Sequence, residues 1–282
     1  MNFANPKTDF TFKRLFGNEH RKNLTLNFLN NLLNRQSSTL ITDISFSDNA
    51  NIPAAETEKV TYLDINCTDQ AGNKFIIEMQ VAKEAAFLQR SQYYAAFGLS
   101  NQLKKGDFYN KLKPVIFIGI MNNPLFANDT PAISHHLICE TGSHRQSLHH
   151  LEFHYIELSK FHKKLDELET EMDKWLYFFK NADSLTTIPQ QFAKSKDFTD
   201  AFEVVEQSLW TPAELQSYHR SLDALNRDFR LQEGIFEEGL AKGIKKKTED
   251  FALKLLAKGT SLSEIAELTD LTIEQIQALQ EK

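Results

Sequence analysis

Apolar and polar residues alternate in two short runs of the N-terminal half, within the stretch YLDINCTDQAGNKFIIEMQV at residues 62–81. Such alternation is typical of strands that bury one face, and the turn residues between the runs predict a β-hairpin centred on Ala71. The core face of this hairpin takes the apolar residues of both runs: Leu63, Ile65, Cys67, Phe75, Ile77, Met79 and Val81.

The opposite face of the predicted hairpin collects polar side chains. In this register Asp64 lies directly across from Glu78, and Tyr62 lies across from Gln80. Directly opposed Cβ atoms are about 4.5–5.5 Å apart, a separation at which like charges destabilise the pair. Two interpretations explain the acids: the face is fully solvated, or a hard cation such as Mg²⁺ lies between the carboxylates.

Apolar residues recur at helical spacing both before and after the predicted hairpin. Thr8 is the predicted N-cap of a short helix that ends at Gly17, and a second amphipathic helix follows it. A third helix is predicted after the hairpin, closing near Gly106. The run KPVIFIGIM at residues 113–121 is continuously apolar, as in a strand buried on both faces. This order of elements predicts an α/β sandwich with a mixed sheet.

The second half of the chain begins with a weaker hairpin pattern. Residues 135–158 contain two apolar-polar runs with Gly142 between them, which predicts two further strands. From residue 159 onward the pattern predicts helices to the end of the sequence. The mixed sheet therefore has its strands in the first 158 residues.

Three glycines interrupt a charged helical pattern at residues 231–247. Each of Gly234, Gly239 and Gly243 costs a helix about 1 kcal/mol relative to alanine, so the pattern predicts a breakable helix or a linker. We take this segment as a domain boundary. The predicted division is a domain at 1–182, a helical extension at 183–235 and a helical tail at 236–282.

Composition and charge restrict the function classes. The two cysteines form no CxxC pair, and the longest apolar run is far shorter than the roughly 18 residues of a membrane span, so a cytoplasmic protein without a membrane partner is expected. The net charge of −6 argues against a protein that coats nucleic acid. However, residues 1–120 carry 14 basic against 11 acidic residues, and we expect any DNA contact there.

Two weaker patterns concern metal binding and association. Seven of the nine histidines lie between residues 135 and 162, but neighbouring histidines of a strand point to opposite faces, which favours a polar surface over a zinc site; they include His135, His136, His149, His150 and His154. The tail is similar to the start of a helix-turn-helix, with Ser261 or Ser263 as the N-cap, Ile265 and Leu268 inside, and a turn near Asp270. Because its second helix has no arginine, self-association or partner docking through its leucines is favoured over DNA reading.

Four segments occur in an order that carries a family resemblance: TDFTFKRLFG, LDINCTDQAGNKFIIEMQ, QRSQYYAAFGLSNQLKKGDFYNKLKPVIFIGIM and IELSKFHKKLDELETEMDKWLYFFKNA. Over residues 5–182 the chain resembles the Rpn family of recombination-promoting nucleases and transposases, in the PD-(D/E)XK superfamily. The resemblance implies a restriction-endonuclease-like α/β fold, with a mixed sheet flanked by helices and an all-helical C-terminal extension.

The resemblance also implies a metal site. Asp64 and Glu78 would be ligands of a catalytic Mg²⁺, with Mn²⁺ or Ca²⁺ as alternatives, and Asp9 would be an added acidic ligand. Gln80 stands where the superfamily has a lysine, and Leu63 stands where it has a proline, so the group that activates water is left open.

Several further residues are candidates around this site. Lys13, one helical turn beyond Asp9, is a candidate for the missing lysine from its spacing alone, and it is also a candidate contact with DNA. Gln89, Arg90 and Tyr94 on the following helix are candidates for contacts with the DNA backbone. Surface salt bridging is the alternative for Arg90, and packing is the favoured role for Tyr94.

These patterns predict a metal-dependent DNA endonuclease linked to recombination or mobile elements. Metal-assisted hydrolysis of a phosphodiester fits a pair of carboxylates, with Gln80 orienting water or phosphate. The alternative is a catalytically inactive nuclease fold that serves as a DNA- or protein-interaction module. Cleavage of RNA also stays open, because only contacts with the 2′-hydroxyl distinguish the two nucleic acids.

Overall fold

The computed structural model of the protein describes residues 1–47, 50–51, 61–62, 64–82 and 84–280. Leu63, which the alternation assigns to the core face, lies outside these residues. The chain divides into two units, Met1–Leu225 and Asn226–Lys282. The division into 1–182, 183–235 and 236–282 stays a prediction from the sequence.

A six-stranded mixed sheet lies at the centre of the first unit. The described strands are β1 (Ile44–Phe46), β2 (Ala50–Asn51), β3 (Thr61–Tyr62), β4 (Ile65–Asp69), β5 (Lys74–Gln80), β6 (Val115–Met121), β7 (Ile133–Ile138) and β8 (Leu148–Glu157). The sheet has the order β1-β4-β5-β6-β8-β7, and β2 pairs separately with β3. Strands β5, β6 and β8 are parallel, and the outer pairings are antiparallel. This arrangement confirms the predicted α/β fold with a mixed sheet.

The predicted register of the first hairpin is confirmed along β4 and β5. Ile65 pairs with Ile77 and Thr68 pairs with Lys74, so the turn is centred on Ala71. Gly72 has φ +87° in that turn, a conformation that glycine adopts without steric cost. Tyr62 belongs to β3 and pairs with Ala50 of β2, and its predicted pairing with Gln80 stays a prediction.

Of the two interpretations of the acidic face of this hairpin, full solvation does not agree with the structure. Strand β5 has a second neighbour, β6, which runs parallel to it, so β5 is an interior strand. A helix covers the face that carries Ile76 and Glu78, and these side chains are 2% and 5% exposed. The acidic face is therefore an interior surface, and the acids need a physical explanation there.

Nine α-helices occur in the described residues. They are α1 (Asp9–Phe16), α2 (Lys22–Leu32), α3 (Phe87–Ser100), α4 (Glu171–Asn181), α5 (Gln190–Ala193), α6 (Lys196–Val205), α7 (Pro212–Ala257), α8 (Leu262–Thr269) and α9 (Ile273–Gln280). Helices α1, α2, α4 and α6 pack together, while α3 packs on β5, β6 and β8. Two hydrophobic cores result, one on each face of the sheet.

The N-terminal helix forms as its capping residues predict. Thr8 Oγ1 accepts a hydrogen bond from the Thr11 amide, and the Gly17 amide donates to the Lys13 carbonyl oxygen. A Cβ atom at Gly17 would lie 2.8 Å from that oxygen, so the helix ends at a residue without a side chain. The buried face of α1, with Phe12 and Phe16, then enters the larger core.

Other helix boundaries differ from the predictions. Helix α3 ends at Ser100, before the expected stop near Gly106, and α4 begins only at Glu171, where Thr170 forms a capping box with Asp173. The glycine-containing segment at 231–247 is helical within α7, so of the two predicted alternatives it is a helix and not a linker. That this helix breaks easily stays a prediction. Within the described ranges, no helix has the length and apolar character needed to cross a bilayer.

The second unit ends in two short helices. Ser261 caps α8, and Asp270 ends it in the left-handed conformation at φ 56°, as the predicted turn requires. Ile265 packs with Ala252 and Ile276 in a small core. Leu268 was expected inside this pair of helices but is exposed. Self-association through this tail stays a prediction.

The aromatic packing of α1 generates a test of the larger core. Phe16 is fully buried and its ring centroid lies 5.3 Å from those of Phe28 and Trp175. Phe16→Ala should lower the free energy of unfolding by about 3–5 kcal/mol, because it leaves a cavity. Phe108→Ala, at an exposed position, should change it by less than about 0.5 kcal/mol. Urea denaturation of both variants measures the contrast, and equal losses would contradict this description of the core.

Candidate active site

Backbone hydrogen bonds hold Asp64 and Glu78 against each other. Asp64 directly precedes β4, and Glu78 lies in β5. The Asp64 amide donates to Glu78 Oε1 at 3.2 Å, and the Met79 amide donates to Asp64 Oδ2 at 2.8 Å. Each acid therefore accepts a backbone hydrogen bond from the segment that carries the other. The structure brings together the two residues that the hairpin register paired.

The two carboxyl groups are largely removed from water. Glu78 is 5% exposed, and the Asp64 side chain is 23% exposed. Burial, followed by the charge of Asp64, raises the pKa of Glu78 to about 8. Burial also raises the pKa of Asp64, against the effect of its hydrogen bond from Met79. Without a cation, the pair therefore retains a proton near neutral pH.

A glycine on the neighbouring strand allows this burial. Gly119 on β6 is the register partner of Glu78. A Cβ atom at Gly119 would lie 3.1 Å from the rings of Phe87 and Tyr155. The absence of a side chain lets these rings lie directly over β6, beside the acid. The continuously apolar run of β6 thus contributes to the low-dielectric surroundings of Glu78.

Lys13 lies between the acid pair and Asp9. Its Nζ atom is 2.6 Å from Asp9 Oδ1 and 4.0 Å from Asp64 Oδ1. The spacing of Asp9 and Lys13 on α1 therefore places a cation beside Asp64, as the sequence suggested. Asp9 is more exposed than the acid pair and contacts Lys13. The structure thus associates Asp9 with the site through this lysine.

Gln80 and Arg90 form a second polar group beside Glu78. The Gln80 amide donates from Nε2 to the Ala82 carbonyl oxygen at 2.8 Å and accepts from Arg90 Nη2 at 2.6 Å. Arg90 Nη1 lies 2.7 Å from Glu84 Oε2. The Nε atom of Arg90 is buried and has no hydrogen-bond partner among the described residues. Both ends of the Gln80 amide are thus in protein hydrogen bonds.

The remaining candidates on α3 separate into exposed and buried positions. Gln89 is exposed, whereas Tyr94 belongs to the core under α3. The guanidinium carbon of Arg90 lies 5.8 Å from the Tyr94 ring centroid and 5.3 Å from that of Phe87. Tyr94 therefore packs against the arginine, in agreement with the packing role that the sequence favoured.

The donor set of the acid pair fits Mg²⁺. This ion binds through one or two protein carboxylates and keeps water or phosphate oxygens at its remaining positions. Asp64 and Glu78 supply two carboxylates at one point, and a cation there would offset both their repulsion and their burial. Asp9 does not join them in a cluster of three ligand atoms within 4.8 Å in the part of the chain that the structure describes.

Such a three-residue cluster occurs elsewhere in the described residues, at His135, Glu152 and His154. His135 and His136 point to opposite faces, as expected, and His136 Nε2 lies 2.9 Å from Ser134 Oγ. Sequence reasoning missed Glu152. The sequence signal that could have identified Glu152 as a ligand is the alternation of side chains along β8, which places residues 152 and 154 on the same face of the strand.

The family comparison agrees with the fold. A family model described as PD-(D/E)XK nuclease family transposase matches residues 6–231. This match continues beyond residue 182, where the resemblance read from the sequence ends. No curated protein and no solved structure matches the chain.

The raised pKa of Glu78 predicts a pH-dependent stability. Between the ordinary value of 4.5 and about 8, the unfolded chain releases a proton that the folded protein retains. In EDTA, the free energy of unfolding should therefore fall as pH rises through this window, by up to about 1.4 kcal/mol per pH unit. Glu78→Gln removes this titration, so urea denaturation should show the variant gaining stability relative to wild type as pH rises.

Glu169→Gln is the matched control, because the Glu169 side chain is 82% exposed. Its stability should follow the wild-type pH profile. If the Glu78→Gln profile also runs parallel to wild type, then Glu78 does not hold a proton in the folded state.

Proposed function

We propose that the chain is a metal-dependent endodeoxyribonuclease, because it belongs to the PD-(D/E)XK nuclease family transposases and carries a buried pair of carboxylates. Family membership supports a nuclease or mobile-element role. The specific reaction that we propose is hydrolysis of a DNA phosphodiester bond. The observation that carries it is the contact between Asp64 and Glu78, which leaves two acids together in a largely dry site.

Asp64 and Glu78 would hold the divalent ion, Mg²⁺ in our proposal, with Mn²⁺ or Ca²⁺ as alternatives. When bound, the ion supplies Lewis-acid stabilisation of the phosphate and lowers the pKa of a water molecule. The protein's own contribution is to keep the two carboxylates fixed by the amides of Asp64 and Met79. Such fixed ligands need little reorganisation when charge develops on the phosphate.

Lys13 is the group that we propose to handle a proton. It lies 4.0 Å from Asp64 Oδ1, and its contact with Asp9 at 2.6 Å holds its ammonium group at the edge of the site. A lysine in this place can orient the attacking water or donate a proton to the leaving oxygen. In this proposal Asp9 positions Lys13, and a role for Asp9 as a direct ligand of the ion is secondary.

Arg90 is the group that we propose to contact the scissile phosphate. Its guanidinium is held by Gln80 and Glu84, which fixes the plane of the group. Each terminal nitrogen of the guanidinium has a second N–H beyond the ones used by Gln80 and Glu84, and the side chain is 27% exposed, so a phosphate oxygen can accept from it. Gln80 would then act by positioning Arg90, while Gln89, which is exposed on the same helix, would contact the backbone beyond it.

An open groove beside Lys13 supports binding of a polyanion. The groove has a volume of about 760 Å³ and is lined by the charged residues Asp9, Lys13, Arg14, Glu19 and Arg220 and by six uncharged residues. Three of its side chains are cationic, which gives DNA phosphates local partners although the whole chain is acidic. Phosphate contacts at these cations would position the duplex without reading its sequence.

One observation favours a second candidate, an inactive nuclease fold that binds DNA or protein. Position 80 carries a glutamine whose amide is engaged with Arg90 and Ala82, so it offers no ammonium group to the reaction. If Lys13 does not replace that group, the site would bind an ion and a phosphate without cleaving it. Both candidate functions include binding of an ion and a phosphate, but only the nuclease cleaves the phosphodiester bond.

Plasmid cleavage tests the proposed activity. Purified wild type should nick or linearise supercoiled DNA with Mg²⁺ or Mn²⁺ and should be inactive with EDTA. Asp64→Asn keeps the size of the side chain and an acceptor for the Met79 amide but removes the charge. It should lower the cleavage rate at least about a hundredfold, since it removes a ligand of the ion.

Glu169→Gln should cleave like wild type, because its side chain is exposed and distant in sequence from both acids. A folded wild-type protein that binds the plasmid but leaves it intact with every ion would support the interaction module instead. Cleavage of single-stranded RNA at an equal rate would instead correct the choice of substrate.

The role of Lys13 gives a separate prediction. Lys13→Met should lower the rate of plasmid cleavage about tenfold or more, since proton transfer by a positioned side chain contributes at least that much. The melting temperature should still rise on addition of Mg²⁺, because both carboxylates remain. Lys111→Met, at an exposed lysine that also pairs with an aspartate, is the control and should cleave normally. A Lys13→Met protein with the wild-type rate would remove this lysine from the mechanism.

A further inference from the structure

The register of the last two strands brings three potential metal ligands to one face of the sheet. His135 on β7 pairs directly with His154 on β8. Glu152 lies two residues before His154 and so shares its face. Ile156, the next residue on that face, belongs to the larger core, whereas Tyr155 belongs to the core under α3. The three side chains therefore lie on the sheet face opposite to the one that carries Glu78.

The ligand atoms of these residues converge. Glu152 Oε1 lies 2.6 Å from His135 Nε2 and 3.1 Å from His154 Nε2. The imidazole rings are nearly parallel, with centroids 4.1 Å apart and an angle of 12° between their planes. All three ligand atoms lie within 4.8 Å of one another. Two nitrogens thus point at the same carboxylate oxygen, from adjacent strands of a rigid sheet.

This spacing suits a small cation with four-coordinate geometry. Ligand atoms at about 2.0–2.1 Å from a tetrahedral Zn²⁺ are about 3.3 Å from each other. The separations of 2.6 and 3.1 Å are close to that value, so modest side-chain rotations would open the cluster around an ion. The unequal exposure of the histidines also fits: His154 is 5% exposed and fixed in the sheet, while His135 remains accessible to solvent.

We propose that His135, Glu152 and His154 form a binding site for a divalent transition-metal ion, of which Zn²⁺ is the representative. The donor set explains the choice of ion, because imidazole nitrogen suits Zn²⁺ and its neighbours, whereas Mg²⁺ is held by oxygen. The site has no residue in common with the Asp64–Glu78 pair and does not depend on the proposed nuclease function. With three protein ligands, the fourth position is left to water or to a group from outside.

The position of the site indicates a structural effect. Strand β7 is the last strand of the sheet and its pairing with β8 shifts register between Leu137 and Ile138. An ion bound by His135 on one strand and by two residues of the other would link the edge strand to the sheet. It would stabilise the folded state by RT ln(1 + c/Kd), where c is the concentration of the free ion, so stability rises with the logarithm of the ion concentration once that concentration exceeds the dissociation constant.

Binding of Zn²⁺ alone to the full-length chain tests the proposal, with the Glu78→Gln variant as background so that the acid pair does not compete. Isothermal titration calorimetry should show one Zn²⁺ site, and Co²⁺ in its place should give the visible absorption of a four-coordinate ion. His135→Gln in this background should weaken Zn²⁺ binding at least about tenfold. His149→Gln, an exposed histidine on the same strand as His154 but with the opposite parity, should bind like the background protein.

Glu152→Gln provides an independent variant, since it keeps the size and one acceptor of the side chain while removing the ligand charge. It should also weaken Zn²⁺ binding and reduce the Zn²⁺-induced rise in melting temperature. Circular dichroism in EDTA establishes that each variant is folded before titration. Equal Zn²⁺ affinity in the His135→Gln and His149→Gln proteins, or no Zn²⁺ binding by the folded background protein, would overturn the proposal.

Discussion

Two carboxylates held together by backbone hydrogen bonds are the constraint on which the site depends. The amides of Asp64 and Met79 fix the acids of Glu78 and Asp64 in contact, and burial keeps water from screening their charges. A protein interior tolerates such a pair only when a proton or a cation neutralises part of the charge. The elevated pKa of Glu78, about 8, is the first of these solutions, and a divalent ion would be the second. Competition between proton and ion therefore links stability, metal binding and the proposed hydrolysis.

The sheet produces this situation by making β5 an interior strand. With only the hairpin, the polar face would be open to water and the acids would be ordinary surface residues. Parallel pairing with β6 brings Gly119 beside Glu78. Because Gly119 has no side chain, the Phe87 ring can lie directly over this glycine. Lys13 and Arg90 then place cationic groups at the edge of the buried pair. The larger core under α1 and α4 holds Lys13 in place, since it fixes the helix that carries this residue.

Local patterns in the sequence predicted much of this fold. Alternation gave the hairpin register, Thr8 and Gly17 gave the bounds of α1, and the unbroken apolar run gave β6. The features that local patterns did not predict depend on contacts between different elements of the fold. Whether the face of Glu78 is dry depends on its contacts with β6 and α3, which lie outside the hairpin, so alternation alone left the choice between the two interpretations open. The glycines at 234, 239 and 243 lower helix propensity, but the helix continues through them. The paired positions of His135 and His154 required the register of the second hairpin, which composition does not provide.

The most direct test of the central claim is to count the protons released when Mg²⁺ binds. Calorimetric titrations in buffers of different ionisation enthalpy give this number, because each released proton is taken up by the buffer. At pH 7 the pair retains one proton, so wild type should release close to one proton per Mg²⁺ bound, and release should approach zero near pH 9, above the pKa of Glu78. Binding without proton release at pH 7, or with the same affinity in Glu78→Gln, would contradict the claim that the ion replaces a proton shared by Asp64 and Glu78.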